Sequence, residues 1–348
     1  MQEGIQKMEK EEIRIKNVIV HIMDNTIGMP VISDQVLEFG SDFADFIRQH
    51  IYKIANGDDG KHCEFYKDQS EIYQMMTEFT EENFVETSKK IAEQLYEIMG
   101  SNIDIPSGDL MVVHFSVKET QYLAILKMNY KESYTHRTMP GEEEDTNFNE
   151  IIKYKTILPT EGQRLQEAAV INLEDYSIQL VEKKYEVNGE KTNYFSFLFL
   201  KCASHLSHKA KLNIVTKAIE KVQKDNFDET EQFEENMKAK SIIQETLQEQ
   251  GGFAVEEIAE KVFEEKPYLA QEFQEKMEKY DLVKEEIKPQ SDSTTKKYQQ
   301  QFLTTDTGIE IKIPMEQYKN KESVEFITNE DGTTSIIIKN IGHLAAKM

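Results

Sequence analysis

The residues LMVVHFSV (110–117) and QYLAILKMNY (121–130) decide how this chain is read. Each run has the length of a strand and is rich in β-branched and aromatic residues, and only Lys118-Glu119-Thr120 separates them. So short a connection suits a hairpin, because parallel neighbours need a crossover of a dozen or more residues. An antiparallel pair is therefore the anchor from which the rest of the chain is placed.

Upstream, IRIKNVIVHI (13–22) opens with alternation at Ile13 and Ile15 and reads as an early strand, with a second over 31–39. Ser41 then precedes Phe43, Phe46, Ile47, Ile51 and Ile54, the spacing of one helix face, and Asn56-Gly57 supplies the stop. A short strand over 63–66 and a helix over 69–77 lead to Phe84, Ser88, Ile91, Leu95 and Ile98, a helical stripe ended by Gly100. Downstream of the hairpin, Pro140-Gly141 and the acid run Glu142 to Asp145 predict a mobile solvated loop over 131–150. Further strands are expected at 168–173, 177–181 and 194–200. The last is apolar on both faces and so central, and Asn188-Gly189 turns the chain before it.

Beyond Ser204 the period becomes helical. Val215, Ala218, Ile219 and Val222 share one face, with Lys217, Lys221 and Lys224 roughly opposite. Residues 226–288 carry 18 acids against 8 lysines with apolar helical spacing. A linker or loop over 289–297 precedes short strands at 299–303, 309–313, 324–328 and 335–340, and Asp331-Gly332 signals a hairpin. No fixed-period repeat supports a solenoid or propeller. The fold class is α+β. Residues 1–225 form a domain with a largely antiparallel sheet and packed helices, and residues 226–348 an acidic helical region with a small β-rich C-terminal unit.

Composition narrows the function. The chain has 348 residues, 39% of them hydrophobic, which is enough for two domains with real cores. Its formal net charge of −23 repels phosphate backbones and anionic lipid, so any nucleic-acid contact needs a local basic patch. The N-terminal residues lack the apolar stretch of a signal peptide, and no run approaches 18 apolar residues, so the expectation is a cytoplasmic protein without a membrane partner. Cys63 and Cys202, too few for a disulfide framework, are read as reduced thiols.

Motifs for phosphate-loop, zinc-protease, nucleophile-elbow and dinucleotide chemistry are missing, so no catalytic residue and no cofactor is assigned. Cys202, His205 and His208 form C-x-x-H-x-x-H, but on a helix positions 202 and 208 stand about 240° apart, so the three do not converge and no metal is assigned. His21, His50 and His114 lie in apolar segments and read as satisfied half-buried side chains. The abundant carboxylates read as solvated faces. One segment departs from the acidic background: Lys201, Lys209, Lys211, Lys217, Lys221 and Lys224 face a single acid, Glu220. These six lysines are the candidate DNA contacts, positioning the protein on phosphates without base readout. The alternative is a lysine-rich solvent face without a ligand.

The order of segments resembles the bacterial nucleoid-associated protein family of the NdpA or YejK type. The resemblance runs through IKNVIVHIMDN, GDLMVVHF and QYLAILKMNY, is clearest in LQEAAVINLEDYSIQL and TNYFSFLFLKCASHLSHKAKLNIVTKAI, and resumes in TDTGIEIKIPMEQY and TTSIIIKNIGH. It implies a cytoplasmic bacterial protein found with the nucleoid and no catalytic residues to transfer. Relatives follow the 194–200 segment with a stretch resembling F-x-K-G-R; here FLFLKCASHLSHKAK keeps the lysine character without the glycine or arginine. Two readings follow. In one, a nonenzymatic nucleoid-associated protein contacts DNA through the lysine patch, with a homodimer doubling that patch. In the other, an acidic adaptor reaches the nucleoid through a DNA-processing protein. A hydrolase with a divalent-metal site built from dispersed carboxylates ranks last.

Overall fold

The computed structural model describes residues 7–102, 104–140, 146–187, 189–329, 333–343 and 345. The chain divides into two units, one ending at Ser207 and the other beginning at His208.

The first unit is built on β1 (Ile13–Met23), α1 (Ser41–Ala55), β2 (Lys61–Phe65), α2 (Glu71–Thr77), α3 (Phe84–Gly100), β3 (Gly108–Val117) and β4 (Thr120–Asn129). It continues through β5 (Lys131–Pro140), β6 (Asn147–Ile157), β7 (Glu167–Asn172), β8 (Ile178–Val181), β9 (Tyr185–Val187), β10 (Glu190–Thr192) and β11 (Cys202–Ser204). Seven strands form one antiparallel sheet in the order β1-β3-β4-β7-β8-β2-β11. The anchoring hairpin is tight. Val117 pairs with Thr120 across Lys118-Glu119, and Lys118 takes φ +55° to turn the chain. At the hairpin's open end a Cβ on Gly108 would stand 2.5 Å from the Met128 carbonyl oxygen, so only glycine fits.

Alternation sorts the two faces of the sheet. Leu110, Val112, Leu123 and Ile125 pack with Ile91, Leu95 and Met99 of α3, while Met111, Val113, Phe115, Ala124 and Leu126 pack with Ile47, Ile51 and Ile54 of α1. Helix α1 is capped by Gly40, one residue before the expected Ser41. Helix α2 is capped by Ser70, whose hydroxyl accepts from the Tyr73 amide at 3.0 Å.

Three expectations for this unit are corrected. Residues 31–39 form no strand beyond a single bridge between Val31 and Ile22. Instead the Ser33 amide donates to His21 Nδ1 (3.1 Å) and its hydroxyl to the Val20 carbonyl, and these contacts replace a ladder. The run at 194–200 is no central strand, because Phe195–Leu200 makes one π-helical turn. Short apolar runs fit either period; here Phe195, Ser196, Phe199 and Leu200 turn inward while Phe197 is exposed. The Glu182 carboxylate fixes the turn's start, accepting from the Ser196 amide and hydroxyl, both at 3.0 Å.

The third correction concerns 131–150. Most of that segment is solvated as expected, but it is regular: β5 and β6 pair as an antiparallel ribbon, from Lys131 opposite Ile157 to Pro140 opposite Asn147. Arg137 meets Glu150 across the strands at 3.2 Å and Lys153 meets Glu132 at 2.5 Å. The acid run and Gly141 lie outside the described residues, as do Asn188 and the Asp331-Gly332 turn.

The second unit comprises α4 (His208–Asn226), α5 (Glu229–Gln250), β12 (Phe253–Ala254), α6 (Val255–Val262), α7 (Pro267–Glu278), β13 (Glu286–Ile287) and a one-turn α8 (Asp292–Thr295). After these come β14 (Gln300–Thr304), β15 (Glu310–Pro314), α9 (Met315–Lys319), β16 (Val324–Thr328) and β17 (Thr334–Ile338). Its core joins Leu212, Val215, Ile219 and Val222 of α4 to Ile258, Val262, Phe273 and Met277. Packing thus groups α4 with the acidic helices, and the division falls at 207/208 where the sequence reading draws it at 225. The stretch 289–297 is more ordered than a linker. It contains α8 and runs into a 3-10 turn whose Tyr298 is buried in the same core.

Candidate nucleic-acid interface

Helix α4 buries its apolar stripe and so must turn its other face to water. Lys217, Lys221 and Lys224 lie on that face at i, i+4 and i+7, all exposed, spanning about 10 Å along the axis. Lys221 shares its charge with Asp225, one turn on, at 2.6 Å, and the lysine holds that carboxyl below its usual range. Lys217 and Lys224 enter no ion pair among the described residues, and Glu220 is exposed beside them.

The other three lysines are placed differently. Lys211 is largely buried and bound to Glu285 at 2.6 Å. Lys209 stands half-buried in the first turn of α4. Lys201 belongs to the first unit, 3.5 Å from Glu71, and takes φ +50° directly after the π-helical turn. A left-handed lysine is uncommon; here the Lys201 carbonyl accepts from the Tyr66 amide at 2.9 Å and holds the bend. Within the second unit, Lys211 is thus tied to Glu285 while Lys217, Lys221 and Lys224 stand exposed. These three make a stripe on α4.

The C-x-x-H-x-x-H residues have separate duties. Cys202 lies in β11, not on a helix, with Ser204 opposite Cys63 of β2, so the two buried thiols are diagonal neighbours on one face. Contact with Cys202, then burial, pushes the Cys63 thiol far up. The His205 ring stacks on His62 at 6.2 Å, and His208 Nδ1 accepts from the Lys288 amide at 3.3 Å. Among the described residues no three His, Cys, Asp or Glu side chains are grouped to hold a metal ion.

The three early histidines are fully buried where the sequence suggested half-burial, and His50 Nε2 and His114 Nδ1 have no hydrogen-bond partner among the described residues. His21 bonds the Ser88 hydroxyl and the Ser33 amide, and burial, with Lys89 nearby, lowers its pKa to about 4. His50 packs edge-on to Phe46 and is lowered to about 4, again by burial first. His114 bonds Gln121 at 3.1 Å and packs edge-on to Phe79.

A family model described as nucleoid-associated protein YejK matches residues 19–344. The chain belongs to that family. The family's description places it with the nucleoid, in keeping with the resemblance seen across the segments from β1 to β17. No curated protein matches the chain. No helix among the described residues of this YejK-family protein is long and apolar enough to cross a membrane.

Two features of the YejK-family chain escape a reading of its sequence. One is the solvated β5–β6 ribbon, which exposes Tyr134, Phe148, Ile151 and Tyr154; the alternation in KESYTHRTMP and NFNEIIKYKTI was its signal, outweighed by the acid run between them. The other is a buried ion pair. Lys127 of β4 and Glu167 of β7 are cross-strand partners, fully buried, 3.6 Å apart. Lys127 also donates to the Pro106 carbonyl at 2.7 Å, and burial lowers its pKa to about 8. Glu167 accepts from Asn129 at 2.7 Å through one oxygen while the other has no hydrogen-bond partner. Neither residue stood out in a chain with 64 acids.

Proposed function

We propose that this YejK-family protein is cytoplasmic and holds DNA non-specifically through Lys217, Lys221 and Lys224 of α4. The observation that carries this reading is their i, i+4, i+7 exposure on one helix face in a chain of net charge −23. Ammonium groups along such a stripe neutralise neighbouring phosphates and release counterions, which gives affinity without sequence preference. Lys201 and Lys209 are auxiliary contacts, and Lys211, already paired with Glu285, contributes least. A homodimer would bring two stripes to one duplex and gain through effective concentration.

Fluorescence anisotropy with a labelled duplex, titrated from low salt upward, tests this. Wild type should bind saturably and weaken steeply with salt. Lys217→Glu with Lys221→Glu should lower affinity at least tenfold and reduce the slope of log K against log salt by about 2. Unchanged binding by the folded double variant removes the stripe from the mechanism.

The ribbon favours a second reading, in which a protein partner such as a DNA-processing enzyme recruits the chain. Its four exposed large side chains offer on the order of 500 Å² of surface, at roughly 200 Å² for a whole aromatic side chain, enough to mark an interaction site. A nuclease-resistant pull-down lost on Tyr134→Ser with Ile151→Ser, with no duplex binding at low salt, supports this reading over the first.

A further inference from the structure

The second unit contains a cavity of about 920 Å³, within the size range of small-molecule sites. Its floor is α4 and α5, through Ile219, Gln223, Met237 and Ile243, and its walls are β14 and the β16–β17 hairpin. Three chemical features converge on it.

The first is aromatic. Phe233 of α5 and Phe326 of β16 face the space with ring centroids 5.7 Å apart, and Tyr318 backs Phe326 at 5.4 Å. The second is a pair of unsatisfied acceptors. Gln223 is fully buried; its Nε2 donates to the Glu235 carbonyl at 2.9 Å, which assigns Oε1 as the free end, and that oxygen has no hydrogen-bond partner. Asn236 Oδ1, also buried and lining the cavity, lacks a partner too. A buried acceptor left unmatched costs free energy that a ligand N–H recovers.

The third is cationic. Lys240 Nζ donates to the Gln300 carbonyl (2.9 Å) and Gln301 Oε1 (2.8 Å), and Lys297 Nζ donates to Asn213 Oδ1 (2.8 Å). These acceptors are neutral, and neither ammonium enters an ion pair among the described residues. Burial, followed by the charge of Lys297, lowers the Lys240 pKa. The carboxylates Glu220 and Asp306 also line the cavity, so attraction of an anion rests on the local placement of the two ammonium groups and not on the net charge of the walls.

We infer that the cavity is a binding site for a purine mononucleotide, its base laid against the aromatic wall that Phe233 and Phe326 form together, with N–H groups toward Gln223 and Asn236, and its phosphate at Lys240 and Lys297. Each part of such a ligand meets one of the three features. A fatty acid would leave both acceptors unmatched, and inorganic phosphate would leave the aromatic walls empty. The site is separate from the lysine stripe, whose Lys217, Lys221 and Lys224 do not line it.

The experiment is titration of the full-length protein with N-methylanthraniloyl-GMP, followed by competition with GMP, AMP, inorganic phosphate and decanoate. Saturable binding displaced by GMP or AMP at least tenfold more effectively than by phosphate or decanoate is expected. Lys240→Met with Lys297→Met should weaken the nucleotide at least tenfold. Asn236→Leu should weaken it severalfold while leaving phosphate competition unchanged. Lys217→Glu with Lys221→Glu should not alter it. Thermal melts confirm that each variant folds. No saturable binding by the folded wild type at millimolar nucleotide overturns the proposal, as does equal displacement by phosphate or by decanoate.

Discussion

Strands β4 and β5 follow one another with a single residue between them, are ten residues each, and meet opposite fates. Strand β4 is buried without a break from Tyr122 to Met128, including a lysine, whereas β5 is exposed along almost its whole length, including a tyrosine. Position in the sheet makes the difference. Strand β4 lies between β3 and β7, with α1 on one face and α3 on the other, while among the described residues β5 has only β6 beside it and no helix over it. Strand formation and burial are thus separate events: alternation and β-propensity suffice for the first, and the second requires a covering layer.

The comparison is most severely tested at Lys127. Replacing it with Met leaves Glu167 charged and unpaired in the core and should cost about 3–5 kcal/mol in urea unfolding. Adding Glu167→Leu should recover most of that loss, since a buried pair replaced by apolar groups is close to neutral. Recovery would show that β4 tolerates polarity only in matched form. Ile125→Ala, a truncation at the centre of the same strand, should cost about 2–5 kcal/mol.

Acid should loosen the same buried layers. His21 on the α3 face and His50 on the α1 face titrate near 4 when folded, against an ordinary value of 6.5. Between those values the unfolded chain takes up protons that the folded one refuses, so stability falls as pH drops from 6.5 toward 4. Each histidine should account for up to about 3 kcal/mol at the lower end. His21→Gln should flatten its share of the profile in urea titrations at pH 7, 5.5 and 4.5. The smallest effect belongs to the ribbon, where Ile151→Ser, at a side chain 70% exposed, should change stability by no more than about 0.5 kcal/mol. A larger loss would mean that the ribbon is covered in solution by a second copy of the chain, and sedimentation equilibrium would then read the dimer directly.

What could be foreseen followed the strength of local signals. The β3–β4 hairpin, α1, α3 and the amphipathic α4 were legible because period and punctuation agree over ten or more residues. Residues 195–200 were not, since six apolar residues satisfy strand and helix alike until a distant carboxylate, Glu182, selects the turn. The candidate site was half legible. Lysine spacing placed Lys217, Lys221 and Lys224 together on one face of α4, but it gave no sign of the separate contacts of Lys201 and Lys211. One is bent into the first unit's left-handed turn and the other is drawn to Glu285, 74 residues away.

By itself the order of residues determined the α+β class, the antiparallel hairpin at its centre, the acidic helices, and membership of a family associated with the nucleoid. These depend on periodicity, turn chemistry and segment order, which are local or cumulative along the chain. Tertiary structure alone decided that Lys127 meets Glu167, that β5 stays in water while β4 does not, and that Gln223, Asn236, Lys240 and Lys297 surround one cavity. Burial, charge pairing and enclosure are relations between residues far apart in sequence, and they come into being only when the layers close on one another.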